Sequence, residues 1–196
     1  MNGFERRKER KKRDILEAAL ALFTEHGVEK PTIAEIAAKA NVSQVTIYNY
    51  FGSKRGLTQE ALLHYMERSI GQFEQIVKSG LPFRQKIEHV IFMKKDASAR
   101  IHKELYEHFM REYASGPDAM RRLFKEKALP LYLELFREGR ERGEIDGRIS
   151  DEALLLFIEA MSEYIGREDV YQRVLPYAEE MMHLMFHGIL GRREPT

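Results

Sequence analysis

The sequence predicts an all-α protein: an N-terminal three-helix helix-turn-helix domain, followed by a larger helical body. Three observations predict this. Apolar residues recur at spacings of three and four through almost every segment, the period of a helix with one buried face. No stretch alternates apolar and polar residues over the length of a strand. Glycine, proline and short polar capping residues fall at the breaks between the periodic runs.

The first helix is expected from about Lys12 to Glu25, with Ile15, Leu16, Ala19, Leu20, Leu22 and Phe23 as its inward stripe and Gly27 as its left-handed stop. Thr32-Ile-Ala-Glu35 has the form of a capping box and starts a short second helix that ends near Ala40. Asn41 suits the left-handed turn, and Ser43 caps a third helix through about Tyr50. Gly52 stops that helix, and Ser53 caps a long fourth one to about Ser79, with Leu62, Met66, Ile70, Phe73 and Val77 on one face. After Gly80-Leu81-Pro82 come a fifth helix from about Phe83 to Asp96 and a sixth from about Ser98 to Tyr113. Ser115-Gly116-Pro117-Asp118 is a break, and a seventh helix runs from about Asp118 to Arg142, bent at Pro130. Glu144 to Ile149 form a loop, and Ser150 or Asp151 caps an eighth helix to about Tyr164. A ninth covers about Asp169 to Leu190, its first turns disturbed by Pro176.

Composition bounds the class. With 196 residues, 43% hydrophobic and 32% charged, the chain suits a soluble globular fold of one domain plus a small appendage. The absence of cysteine removes disulfides, thiolate nucleophiles and Cys-based metal sites. Ala153 to Ile158, an apolar run as long as any in the chain, is far below the roughly 18 residues a membrane span requires. Asp14 and Glu17 interrupt any signal-like apolar stretch, so a cytoplasmic protein is expected. Residues 1–58 carry eleven Lys and Arg against seven Asp and Glu, whereas residues 59–196 carry 21 against 24. The basic head, not the acidic body, is therefore the part suited to a polyanion, although a solvated basic tail has the same charge. The domains are accordingly divided as 1–58, including a basic arm at 4–13, and 59–196.

The third helix sorts its side chains in a way that bears on function. Ile47 and Phe51 join Ile36 and Val42 inward, while Gln44, Val45, Tyr48 and Asn49 share the opposite face, which carries no charge. Gln44 has the donor and acceptor pair that reads adenine in a major groove, and Val45 can meet a thymine methyl. The hydroxyls of Thr46, Tyr48 and Tyr50 suit phosphate oxygens, and Lys54 stands at the start of the fourth helix, where free amide hydrogens also favour an anion. Core packing with the hydroxyl at the surface is the other reading of the two tyrosines. The arm Arg6-Arg7-Lys8-Glu9-Arg10-Lys11-Lys12-Arg13 can follow a DNA backbone or enter a minor groove.

The stretch from about Arg13 to Leu63, above all Thr32-Ile-Ala-Glu-Ile-Ala-Ala-Lys-Ala-Asn-Val-Ser-Gln-Val-Thr-Ile-Tyr-Asn-Tyr-Phe-Gly-Ser-Lys54, closely resembles the N-terminal domain of the tetracycline-repressor (TetR) family. The resemblance implies a homodimeric transcription regulator, usually a repressor, released from a palindromic double-stranded operator when a small molecule enters its C-terminal domain. It places Thr32, Gln44, Val45, Thr46, Tyr48, Tyr50 and Lys54 at positions the family commonly uses at DNA. Asn41, Val45 and Gly52 depart from the residues frequent at those positions, which bears on sequence specificity.

The eighth helix is apolar nearly all round, and the ninth repeats the pattern. Leu154, Phe157, Ile158, Met161, Met181, Met182, Met185 and Ile189 are therefore expected in a four-helix dimer interface. A buried central helix in a monomer is the alternative. Phe92, Met93, His102, Tyr106, Phe109, Met110, Tyr113, Phe124, Tyr132 and Phe136 are candidates to line a cavity for an apolar effector, although such stripes also build plain cores. His183 and His187 have metal-ligand spacing, but they fall on the expected dimer helix, where hydrogen-bonded or exposed histidine is the commoner outcome, so no metal and no cofactor are assigned. The sequence has no glycine-rich phosphate loop and no serine elbow, and no enzyme is expected. The competing function is a helical interaction protein whose basic arm meets a protein partner or an anionic membrane surface.

Overall fold

The computed structural model describes residues 3–87, 89, 103–115, 119–166, 170, 173, 175–177, 180, 181, 183 and 184. These are almost entirely helical, with an isolated bridge at Ile145 and no strand among them. The chain divides into two compact units, Met1–Arg68 with Arg100–Tyr113 and Ser69–Ala99 with Ala114–Thr196.

The first unit begins with α1 (Gly3–His26), whose Ile15, Leu16, Ala18, Ala19, Leu20 and Phe23 are buried. Gly27, at φ 80°, closes it by donating its N–H to the Phe23 carbonyl at 3.0 Å. The helix starts nine residues before the expected Lys12, so the basic arm at 4–13 is part of α1 and does not precede it. Its Arg, Lys and Glu side chains are strong helix formers, and Glu5 complements the positive end of the helix dipole. The segment has no inward stripe because every residue from Gly3 to Lys11 is exposed.

The capping box at Thr32 forms as expected and opens α2 (Ile33–Lys39), while Ser43 accepts the N–H of Thr46 and opens α3 (Gln44–Phe51). Between them Asn41 takes φ 52°, and the Val42 N–H returns to the Ala37 carbonyl at 3.0 Å. Gly52 ends α3 at φ 72°. Ser53 Oγ then accepts the Gly56 N–H at 3.0 Å at the start of α4 (Lys54–Val77). Glu17 ties α4 to α1, accepting from Arg68 at 3.0 Å and lying 2.8 Å from His64 Nε2. α5 (Lys103–Ser115) joins this unit through buried Leu105, an edge-on Tyr65–Phe109 ring pair and a 2.9 Å Gln59–Glu112 hydrogen bond.

In the second unit Ile70, Phe73 and Val77 of α4 are buried with Phe83 and Ile87. The last carbonyl of α4, on Val77, accepts from the buried Lys86 ammonium at 2.7 Å; Lys86 also lies 2.6 Å from Glu138. The expected seventh helix appears as α6 (Ala119–Leu123), a wide π turn (Phe124–Ala128) and α7 (Leu129–Glu141). Pro130 cannot donate to the carbonyl four residues back, and the register widens just before it: Leu129 N–H bonds the Phe124 carbonyl instead. Gly143 takes φ 67° after α7, and Ile145 folds back against Gly139, whose absent side chain leaves room for Ile145 and Phe83. Ser150, not Asp151, caps α8 (Asp151–Gly166), its Oγ accepting from Ala153 N–H at 3.1 Å. Arg140 holds that corner through the Ile149 carbonyl and the Asp151 carboxylate. Leu175–Tyr177 form a 3-10 turn at Pro176; most of the expected ninth helix, and much of the fifth, lie outside the described residues. No described helix is long and apolar enough to cross a membrane.

Two glycines of α4 have opposite consequences. A Cβ on Gly56 would lie 2.2 Å from the Phe51 carbonyl oxygen, whereas one on Gly71 would meet nothing within 4 Å. Chemical denaturation of the full chain should show Gly56→Ala less stable by about 1–3 kcal/mol, the cost of overpacking. Gly71→Ala should be more stable by about 0.5–1 kcal/mol, because a helix interior favours alanine.

Candidate nucleic-acid interface

An eight-residue helix has no stability of its own in water, so α3 exists because the protein holds it. Ile47 is fully buried and Phe51 nearly so, and capping at Ser43 and Gly52 satisfies both ends. The helical period then turns Gln44, Val45, Tyr48 and Asn49 to the outside, all four exposed, with Val45 at 66% and Tyr48 at 48% of full exposure. Exposed large apolar and aromatic groups beside two amides, with no charge among them, form a surface suited to base edges more than to bulk water.

The other four expected contact residues have work inside the protein. Thr32 Oγ1 accepts the Glu35 N–H at 3.2 Å and donates to the Glu35 carboxylate at 2.8 Å, while the Thr32 N–H donates to the same carboxylate at 2.7 Å. These bonds, the backbone one first, hold the Glu35 carboxyl below its ordinary range. Thr46 Oγ1 shares a 2.8 Å hydrogen bond with Ser43 Oγ. The Tyr50 hydroxyl donates to the Lys8 carbonyl at 3.3 Å, and the Lys54 ammonium donates to the Glu29 carbonyl at 2.6 Å.

The bond from Tyr50 to Lys8 lays the first turns of α1 against the end of α3. Phe4, Arg7, Lys8, Lys11, Asn49 and Tyr50 line one open groove of about 430 Å³. The sequence alone points to this basic segment as an arm ahead of the first helix and does not group Phe4 with α3. The signal available was the unbroken run of helix-forming residues back to Phe4.

The expected effector residues do not form one described group. Phe109 pairs with Tyr65 in the first unit. In the second, Tyr132 touches Phe124 and Phe136 and lies nearest to Phe73, at 4.7 Å between ring centres, a partner the sequence reading left out. Phe92, Met93 and His102 lie outside the described residues, as do the side chains of Tyr106, Met110 and Tyr113. Of the expected dimer residues, Leu154 is buried within the single chain at 2% exposure, because it faces the protomer's own core. Phe157 is exposed beside Leu156, and Met181 is half-buried. The side chains of Ile158, Met161 and Met182 lie outside the described set, with Met185 and Ile189.

An all-α chain that presents an uncharged, outward face of a capped second helix in a helix-turn-helix belongs to the structural class of helix-turn-helix proteins. Residues 15–61 match the family model for bacterial regulatory proteins of the tetR family. Over 78 residues the chain is 31% identical to the HTH-type transcriptional repressor KstR2 of Rhodococcus jostii (strain RHA1), a match spanning 40% of this chain and 38% of that repressor's length. It is 26% identical over 179 residues to the uncharacterized HTH-type transcriptional regulator YvkB of Bacillus subtilis (strain 168), covering 86% of this chain and 88% of YvkB. Thermus thermophilus FadR, a TetR-family transcriptional repressor solved in complex with lauroyl-CoA, shares the fold with a TM-score of 0.58 at 22% identity, over 94% of this chain and 98% of FadR. The likeness to bacterial regulatory proteins of the tetR family is thus carried by residues 15–61, and the chain spans less than half the length of the repressor KstR2 that it matches.

The capping box gives a pH-dependent expectation. A carboxyl held below its ordinary range stabilises the fold above that range and loses this contribution as the pH falls through its folded value. Thr32→Ala should cost about 1 kcal/mol of stability. In a carboxyl NMR titration it should move Glu35 only part of the way back up, because the backbone N–H remains.

Proposed function

We propose that this chain is a homodimeric, ligand-responsive transcription regulator, a repressor that leaves a palindromic operator when a small, largely apolar molecule binds. The observation that carries this reading is the outward face of α3, where Gln44, Val45, Tyr48 and Asn49 stand exposed on a helix fixed by Ile47 and Phe51. Gln44 and Val45 would read base edges, and Tyr48 and Asn49 would contact the adjoining backbone or bases. Lys8 and Lys11, beside Tyr50 in the groove, would meet phosphate. Thr32, Thr46, Tyr50 and Lys54 would act mainly by holding the reading head in place, through the bonds they make within the chain.

A palindrome needs two reading heads about 34–36 Å apart, and the exposed Leu156, Phe157 and Tyr164 of α8 supply apolar surface for pairing with a second copy. The DNA-binding domain would comprise residues 1–58, and the effector and dimerisation domain residues 59–196. The rings of Phe73, Phe124, Tyr132 and Phe136 favour an apolar or flat effector, a class consistent with the acyl ligand seen in Thermus thermophilus FadR. α4 is shared by the two units, residues 54–68 in one and 69–77 in the other, and would carry the effector signal. A regulator of chromosomal DNA would work in the cytoplasm.

Capture of sheared host genomic DNA at about 0.15 M salt, where surface charge is substantially screened, tests the reading. The protein is first unfolded and refolded to release any bound effector. One or a few palindromic fragments should be enriched; a folded, effector-free dimer that enriches none overturns the proposal. On a captured operator Tyr48→Ala should weaken binding about tenfold or more, equivalent to about 1.4 kcal/mol. Gln44→Ala should relax base preference while leaving the salt dependence unchanged.

A further inference from the structure

We propose that Glu29, Glu104 and His108 form a binding site for one divalent transition-metal ion of the Zn2+ type. One ligand atom from each of these side chains lies within 4.8 Å of the others, and all three residues belong to the first unit. His108 Nε2 is 3.4 Å from Glu29 Oε1. That matches the edge of a tetrahedron, about 3.3 Å long when metal–ligand distances are about 2.0–2.1 Å.

Two features make this more than acidic groups lying close together. Glu104 and His108 are four residues apart on α5, so one helical face presents a carboxylate and an imidazole side by side. The third donor arrives from the loop between α1 and α2, and its backbone is fixed from both sides. The Glu29 N–H donates to Glu104 Oε1 at 2.8 Å, and its carbonyl accepts from the Lys54 ammonium at 2.6 Å. A hydrogen bond of the first kind orients a ligating carboxylate.

The donor set decides the class of ion. Mg2+ and Ca2+ take oxygen donors, whereas an imidazole nitrogen beside two carboxylates suits Zn2+ and its first-row neighbours. Two carboxylates offset the charge of a divalent ion, and the open side, where Glu29 is 77% exposed, leaves a fourth position to water. The His108 side chain, at 20% exposure, is sheltered. An ion bound here would clamp the loop leading into α2 to α5. The same 3.4 Å contact would also arise from a protonated His108 paired with Glu29 without any metal, and the experiment separates the two.

The chelator-treated full-length chain is titrated with ZnCl2 by calorimetry, and with Co2+ while the visible absorption of a four-coordinate ion is followed. One ion per chain should bind at this site. Glu29→Gln, a change at an exposed side chain, and His108→Ala should each weaken that binding at least tenfold, whereas His183→Ala controls for the remaining surface histidines and should not. Zn2+ should raise the melting temperature of the wild type and leave that of Glu29→Gln unmoved. Failure of the wild type to bind, or wild-type affinity in folded Glu29→Gln, overturns the proposal. The assay uses no DNA, so its failure leaves the regulator reading untouched.

Discussion

The burial of Ile47 and Phe51 is the constraint on which α3 and its outward face depend. An eight-residue helix has too few internal hydrogen bonds to offset its nucleation cost, and it persists because two of its side chains are held in the core of the first unit. Gly56 lets α4 start directly behind it, since a side chain there would collide with the Phe51 carbonyl. Once Ile47 and Phe51 face inward, the 3.6-residue period leaves Gln44, Val45, Tyr48 and Asn49 nowhere to go but outward. The same two anchors thus fix the helix and choose the four residues available for contact.

Capping chemistry was the most legible part of the fold. Thr32, Asn41, Ser43, Gly52, Ser53 and Ser150 act where the sequence places them, because each responds to its immediate backbone neighbours. Features without an apolar stripe or a local cap were less legible. Residues 3–11 are helical and exposed, so hydrophobic periodicity carries no signal for them. Pro130 announces a disturbance, but the register shift relieving it falls upstream, at Phe124–Ala128, where nothing in the sequence marks a wide turn.

The site residues divide along the same line. The outward face of α3 follows from helical period and was readable. The engagement of Tyr50 with Lys8 spans 42 positions and that of Lys54 with Glu29 spans 25, so neither could be foreseen from spacing. Hydroxyls near helix ends face a local competitor, an unpaired backbone amide, and Thr32 satisfies one before any ligand arrives. Aromatic stripes were the least decisive signal: Phe109 and Tyr132 look alike in sequence yet belong to different units. Among the described side chains of α8, Leu154 faces the core whereas Leu156 and Phe157 are exposed, a division that an apolar run without a clear stripe does not foretell.

α4 is held differently at its two ends. At its start the close approach of Gly56 to Phe51 is a steric contact with little tolerance. At its end the buried Lys86 ammonium joins the Val77 carbonyl to Glu138 on α7. A buried ion pair of this kind contributes little net stability, but breaking it leaves an uncompensated charge, so it resists sliding more than it strengthens the fold. A helix gripped by a backbone contact at one end and a buried charge at the other does not fray or slip a turn at small cost. Within the first unit the contact at Gly56 therefore sets where α4 begins against the Phe51 carbonyl, and with it the placement of Ile47, Phe51 and the outward face of α3.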